Sequence, residues 1–153
     1  MSGHSEGVIR NTLAMEFRAL PENVAVARVA IATFASQMNF TLGEVEEIKV
    51  AVSEAVSNVV LHAYGEEGGV VRVRAEIRGA ETLYVEVSDV GRGIEDVEAA
   101  KEATFSTLPD HMGLGFVFME SFMDTLDVSS APGKGTVVTM TKTVGSNAAA
   151  SAD

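Results

Sequence analysis

The run Val52-Ser53-Glu54-Ala55-Val56-Ser57-Asn58-Val59-Val60-Leu61-His62 decides the fold reading. Ile48, Val52, Ala55, Val56 and Val59 recur at steps of three and four, so one face of a helix is apolar. Upstream, Thr41 with Glu44 three residues later is a capping box, and the pattern predicts a helix from Thr41 to about His62. Glu54, Asn58 and His62 stand four apart along one edge, roughly a quarter-turn from the apolar face. A carboxylate able to accept a hydroxyl proton, an amide oxygen of the hard kind Mg²⁺ prefers, and an imidazole therefore project together. Polar neighbours at i, i+4 are commonplace, and this edge taken alone is read first as solvated surface.

Outward from this helix the pattern is α+β. Leu13, Met15 and Phe17 alternate with polar residues in a first strand. Pro21 and Glu22 open a helix whose core stripe is Val24, Ala27, Ile31, Phe34 and Met38. Val26 and Val29 fall on its other side, with Arg28 at the edge of the stripe. After a turn at Gly65 to Gly69, Val71, Val73, Ala75 and Ile77 alternate with Arg72, Arg74, Glu76 and Arg78, a strand with one wet face. Gly79-Ala80-Glu81 connects it to a strand through Leu83, Val85 and Val87. Residues 94–109 read as a polar, irregular stretch. A third helix starts at Gly113 and is apolar nearly all round, which predicts deep burial. Strands beginning at Leu126 and at Thr136 flank the turn Pro132-Gly133-Lys134-Gly135. One mostly antiparallel sheet with helices layered on one side follows.

Two glycine clusters accompany the polar helix edge. Asp89-Val90-Gly91-Arg92-Gly93 follows a strand directly, and its glycines let the backbone turn sharply and approach a ligand closely. Asp89 at the strand end is placed to accept a hydrogen bond from an exocyclic amine. His111-Met112-Gly113-Leu114-Gly115-Phe116 opens a helix, where free N–H groups and the helix dipole attract phosphate. Gly135-Thr136 adds a hydroxyl and another close backbone approach. Each cluster alone is weak: a lone D-x-G-x-G also fits a plain turn, and a lone G-x-G a softened helix start.

The bulk composition narrows the function classes. The 153 residues suit one domain, 46% of them are hydrophobic, and there is no cysteine, which excludes disulfides and thiolate metal sites. The net charge of −11 argues against nucleic acid, which requires a basic face. Residues 1–10 lack the apolar core of a signal peptide, and no run is long enough to span a membrane; a cytoplasmic protein is expected. Residues 1–10 and 145–153 are expected to be flexible ends around one domain at 11–144.

Taken together and in this order, the motifs resemble the GHKL, or histidine kinase-like, ATPase superfamily. Glu54 and Asn58 match its N-box, Asp89-x-Gly91-x-Gly93 its first glycine box, Gly113-x-Gly115 the second, and Gly135-Thr136 the final Gly-Thr. The resemblance covers residues 12–143 and implies the two-layer α/β sandwich of the Bergerat type, with an ATP lid from about Glu95 to Met112. Within the superfamily the chain looks most like the anti-sigma factor serine kinases, through residues 52–58, Phe105-Ser106-Thr107-Leu108-Pro109, and residues 112–124.

That resemblance implies specific roles. Asn58 would hold Mg²⁺ against the phosphates of ATP or ADP. His62, Gly91, Gly93, Gly113, Leu114, Gly115, Phe116 and Gly135 would line or cradle the nucleotide, and Asp89 with Thr136 would read the adenine amine. Glu54 would act as general base on a serine of an anti-sigma factor antagonist. Arg28 would contact a partner protein, and the protein would bind a sigma factor of RNA polymerase as a homodimer. The lid departs from the family pattern: Leu108-Pro109-Asp110-His111-Met112 lacks the arginine that relatives carry beside the γ-phosphate. An alternative is therefore a nucleotide-dependent anti-sigma binding protein with little kinase activity. A stimulatory switch kinase of the stress pathway shares the fold. A histidine-kinase catalytic domain is expected to need a phospho-acceptor module upstream, where only about ten residues precede the first strand.

Overall fold

A computed structural model describes residues 7–102 and 112–145, with the backbone alone at Glu102 and Met112. The expectations for residues 1–6, for His111 and most of the lid, and for residues 146–153 lie outside the described residues.

The strands are β1 (Ile9–Arg18), β2 (Val70–Arg78), β3 (Thr82–Asp89), β4 (Thr125–Ser130) and β5 (Thr136–Thr143). They form one antiparallel sheet in the order β1-β2-β3-β5-β4. The helices are α1 (Glu22–Ala35), α2 (Leu42–Asn58), α3 (Val97–Glu102) and α4 (Met112–Phe122), with a π-helical turn, Val59–Ala63, continuing α2. Period-two alternation puts Val71, Val73, Ala75, Leu83, Val85, Val87, Val138 and Met140 on the helix side of the sheet, all buried. Ile31 of α1, Ile48, Val52 and Val56 of α2, and Phe116 and Met119 of α4 close over them. The α+β sandwich is as the alternation and periodicity predict.

The start of α2 is the capping box read from the sequence. Thr41 Oγ1 accepts from the Glu44 N–H at 3.1 Å, and Glu44 Oε1 accepts from the Thr41 N–H at 2.8 Å. Glu44 Oε2 also accepts from the Gly145 N–H at 3.2 Å, so a buried carboxylate joins the start of α2 to the end of β5.

Four features differ from the sequence reading. First, α2 does not run unbroken to His62 but changes to π geometry after Asn58. Such single π turns are frequent at functional sites. Second, the stretch expected to be irregular contains α3, started by Asp96, whose side chain accepts from the Ala99 N–H at 3.0 Å. Third, α4 is not buried all round. Phe116 and Met119 face the core, but Val117 is 47% exposed because α4 lies at the edge of the helical layer. Fourth, the wet face of β2 is not uniformly wet. Glu76 is buried between Arg74 and Arg78, which donate to it at 2.9 and 2.8 Å. Two guanidiniums folded over one carboxylate exclude water from it.

Candidate functional site

The polar edge of α2 opens onto a crevice between α2, the end of β3, the head of β5 and α4. Apolar groups supply most of its lining, among them Ala55, Val59, Val87, Ile94 and Val138. The polar exceptions are Asn58, His62, Asp89 and Thr136. A mostly apolar pocket with a few convergent polar groups is the usual form of a small-molecule site. The four come together for separate local reasons. Asn58 ends α2 and His62 follows in the π turn. Asp89 ends β3, and the antiparallel register sets it directly opposite Thr136 of β5.

The glycines make these approaches possible. Gly135 has φ +78°, and a Cβ there would overlap the Asp89 carbonyl. Gly93 has φ +75°, and its Cβ would overlap the Ala131 carbonyl. Both positions are in the left-handed region and in contact with backbone, so glycine is required twice over. A Cβ at Gly91 would run into Ala63 at the end of the π turn. At Gly115 a Cβ would lie 3.0 Å from Glu54 Oε2 and 3.4 Å from the Asn58 amide.

Two carboxyl groups here are perturbed. Burial pushes Asp89 up from the ordinary aspartate value, against the opposing pull of N–H donors from Gly91 and Thr136. The Gly91 N–H donates to Asp89 Oδ1 at 2.9 Å. Burial also raises Glu54. Raised carboxyls grouped around a crevice are the arrangement expected of a functional site. Asn58 Nδ2 is buried with no hydrogen-bond partner among the described residues. A buried amide is seldom left so, and a polar ligand in the crevice would satisfy it.

Of the residues singled out in the sequence, Asn58, His62, Asp89, Gly93, Phe116 and Thr136 line the crevice. Glu54 and Gly115 face each other beside it, and Gly91 and Gly135 set its backbone. Gly113 and Leu114 begin α4 but are not lining residues. Arg28 lies elsewhere, donating from Nη1 to Ser53 Oγ at 3.3 Å. The sequence reading missed two residues. Ser130 Oγ accepts from the Ile94 N–H at 2.7 Å and lies 2.8 Å from Thr136 Oγ1, tying the segment after Gly93 to the head of β5. Tyr64 ties the first residue of β2 to the turn after β3 through its hydroxyl. Neither belongs to a motif; the only signal for Tyr64 is its place just beyond His62.

The sequence and the fold are matched by known proteins. Residues 17–142 match the histidine kinase-like ATPase domain. The chain belongs to the histidine kinase-like ATPase family. Within it, the chain is 45% identical over 137 residues to an anti-sigma F factor of Clostridium acetobutylicum, covering 88% of this chain and 95% of the relative. It is 44% identical over 139 residues to an anti-sigma F factor of Caldanaerobacter subterraneus, covering 90% and 96%. Among solved structures, the RsbU and RsbW domains of a Mycobacterium tuberculosis protein share the fold with a TM-score of 0.64 at 20% identity, over 86% of this chain and 32% of the larger one. The matched segment, residues 17–142, contains every residue that lines the crevice. No described helix is long and apolar enough to cross a membrane.

Proposed function

We propose that the protein is an ATP-binding anti-sigma factor that works by partner switching: it sequesters a sigma factor and phosphorylates a serine on an anti-sigma factor antagonist. The observation that carries this reading is the crevice itself, where Asp89 and Thr136 meet at one end and Asn58, beside Glu54, at the other. The anti-sigma F factors at 45% and 44% identity over nearly their whole length supply the partner class.

The residues fit a nucleotide. Asp89, with Oδ1 already accepting from Gly91, offers its remaining acceptor capacity to an adenine amine. Gly115, next to Glu54 and Asn58, leaves a space that any side chain would fill, near the helix start where phosphate is favoured. Among the described residues no three His, Asp or Glu side chains converge as a metal cage. Mg²⁺ held by Asn58 together with phosphate oxygens suits an ion that favours few protein ligands. Bound there, the ion would neutralise charge on the transferring phosphoryl group. Glu54, raised by burial, is the base that would take the serine proton. Arg28, on α1 beside the exposed Val26 and Val29, belongs to the partner surface of a homodimer.

A second reading is favoured by one feature. The lid lacks an arginine, and its lysine, Lys101, is 3.3 Å from Glu120. A missing cation at a transferring phosphate slows reaction by orders of magnitude. On that reading the protein is a nucleotide-dependent binding switch with little kinase activity.

Transfer of labelled γ-phosphate from ATP-Mg to the antagonist decides between them. Labelling by wild type that is lost in Glu54→Ala and Asn58→Ala, both folded, is the expected result. Nucleotide binding without transfer supports the second reading, and no nucleotide binding overturns both.

A further inference from the structure

The geometry points to Tyr64 as a positioning residue that sets the adenine end of the crevice. We infer that its hydroxyl holds the Asp89–Arg92 turn in register with the π turn of α2. This rests on the reading of Asp89 as the adenine contact.

Tyr64 Oη donates to the Val70 carbonyl at 2.7 Å, at the start of β2, and accepts from the Val90 N–H at 3.0 Å, one residue beyond Asp89. One hydroxyl thus uses donor and acceptor to tie the first residue of β2 to the turn after β3. The adjoining backbone reinforces the tie, because the Arg92 N–H donates to the Ala63 carbonyl at 2.8 Å. The ring has a made seat: a Cβ at Gly69 would overlap Tyr64, so the ring lies flat on that glycine. A side chain locked by packing and by two hydrogen bonds is what holds a binding group to within fractions of an ångström. Tyr64 does not line the crevice, so its effect passes through Asp89.

The test is calorimetric binding of ADP and IDP, which differ at the amine Asp89 would read, to wild type, Tyr64→Phe, Gly69→Ala and a control, Tyr84→Phe. Tyr84 donates to Glu86 at 2.8 Å on the opposite face of the sheet. We expect Tyr64→Phe to weaken ADP about tenfold and IDP much less, a selective loss of ~1.4 kcal/mol. Gly69→Ala, which keeps the hydroxyl but displaces the ring, should show the same selective loss and stands in if Tyr64→Phe does not fold. Tyr84→Phe should leave the ADP to IDP ratio unchanged. A folded Tyr64→Phe with the wild-type ratio overturns the positioning role alone. Equal weakening of both nucleotides also overturns it, reducing Tyr64 to a general support of the fold. If wild type itself does not prefer ADP, the Asp89 reading fails first and the role of Tyr64 falls with it.

Discussion

Gly115 of α4 stands directly against Glu54 of α2: a Cβ at Gly115 would lie 3.0 Å from the Glu54 carboxylate. Two helices that meet nowhere in the sequence thus share one wall of the site. Gly115→Ala is expected to weaken ADP binding at least tenfold, because the methyl occupies space next to Glu54 and Asn58. Alanine is the better helix former by ~1 kcal/mol, so thermal stability should not fall. Calorimetry alongside thermal unfolding checks both; weaker binding accompanied by a large drop in Tm would show a packing defect instead.

The raised Glu54 carboxyl predicts a pH signature in the apo protein. An acid raised in the fold binds its proton more tightly there than in the unfolded chain. Its stabilisation is full below the ordinary glutamate value and is lost as pH rises through the raised value. Glu54→Gln does not titrate. Relative to wild type it should gain Tm across that window and hold the gain at neutral pH, while losing phosphoryl transfer. A Tm difference that is flat with pH would remove burial as the cause.

Glu76 predicts the opposite sign. Burial pushes its carboxyl up, but the hydrogen bonds and charges of Arg78 and Arg74 outweigh that and hold it below the ordinary value. Its stabilisation is present above the ordinary glutamate value and is lost as pH falls through the depressed one. Glu76→Gln should cost about 2 kcal/mol at neutral pH, at the modest end because both arginines are partly in water. Urea unfolding at neutral and acidic pH tests this, with the two proteins converging in acid.

Lys142 is buried at 2% exposure on the helix side of β5, donating to the Phe122 carbonyl at 2.6 Å with Glu47 at 3.5 Å. It caps the C-terminus of α4, where a cation is favoured. Lys142→Met should destabilise by about 2–3 kcal/mol, since it leaves the Phe122 carbonyl at the end of α4 without its buried donor. Linear extrapolation from urea melts measures the loss; a change below 0.5 kcal/mol would refute the capping role.

Much of the molecule was legible in one dimension. The capping box at Thr41 and Glu44, the core stripes of α1 and α2 and the inward faces of β2 and β3 depend on spacing alone, and spacing is local. Two of the departures depend on packing that spacing does not report. The exposed side of α4 depends on its place at the margin of the helical layer. Burial of Glu76 depends on the way two arginines fold. The small helix α3 was hidden because its start signal, Asp96, sits among acidic residues that also read as loop.

The sequence by itself determined which residues have the chemistry: Glu54, Asn58 and His62 on one helix edge, Asp89 between strand and glycines, and Gly135-Thr136 at a strand head. Only the tertiary structure decided that these meet. Antiparallel register sets Asp89 opposite Thr136, backbone carbonyls press on Gly91, Gly93 and Gly135, and α4 delivers Gly115 to Glu54. The physical reason is that periodicity reports which face of an element is apolar, whereas a site is an arrangement between elements. Tyr64 shows the difference most plainly, because the start of β2 and the turn after β3, which its hydroxyl joins, come together only in the folded sheet.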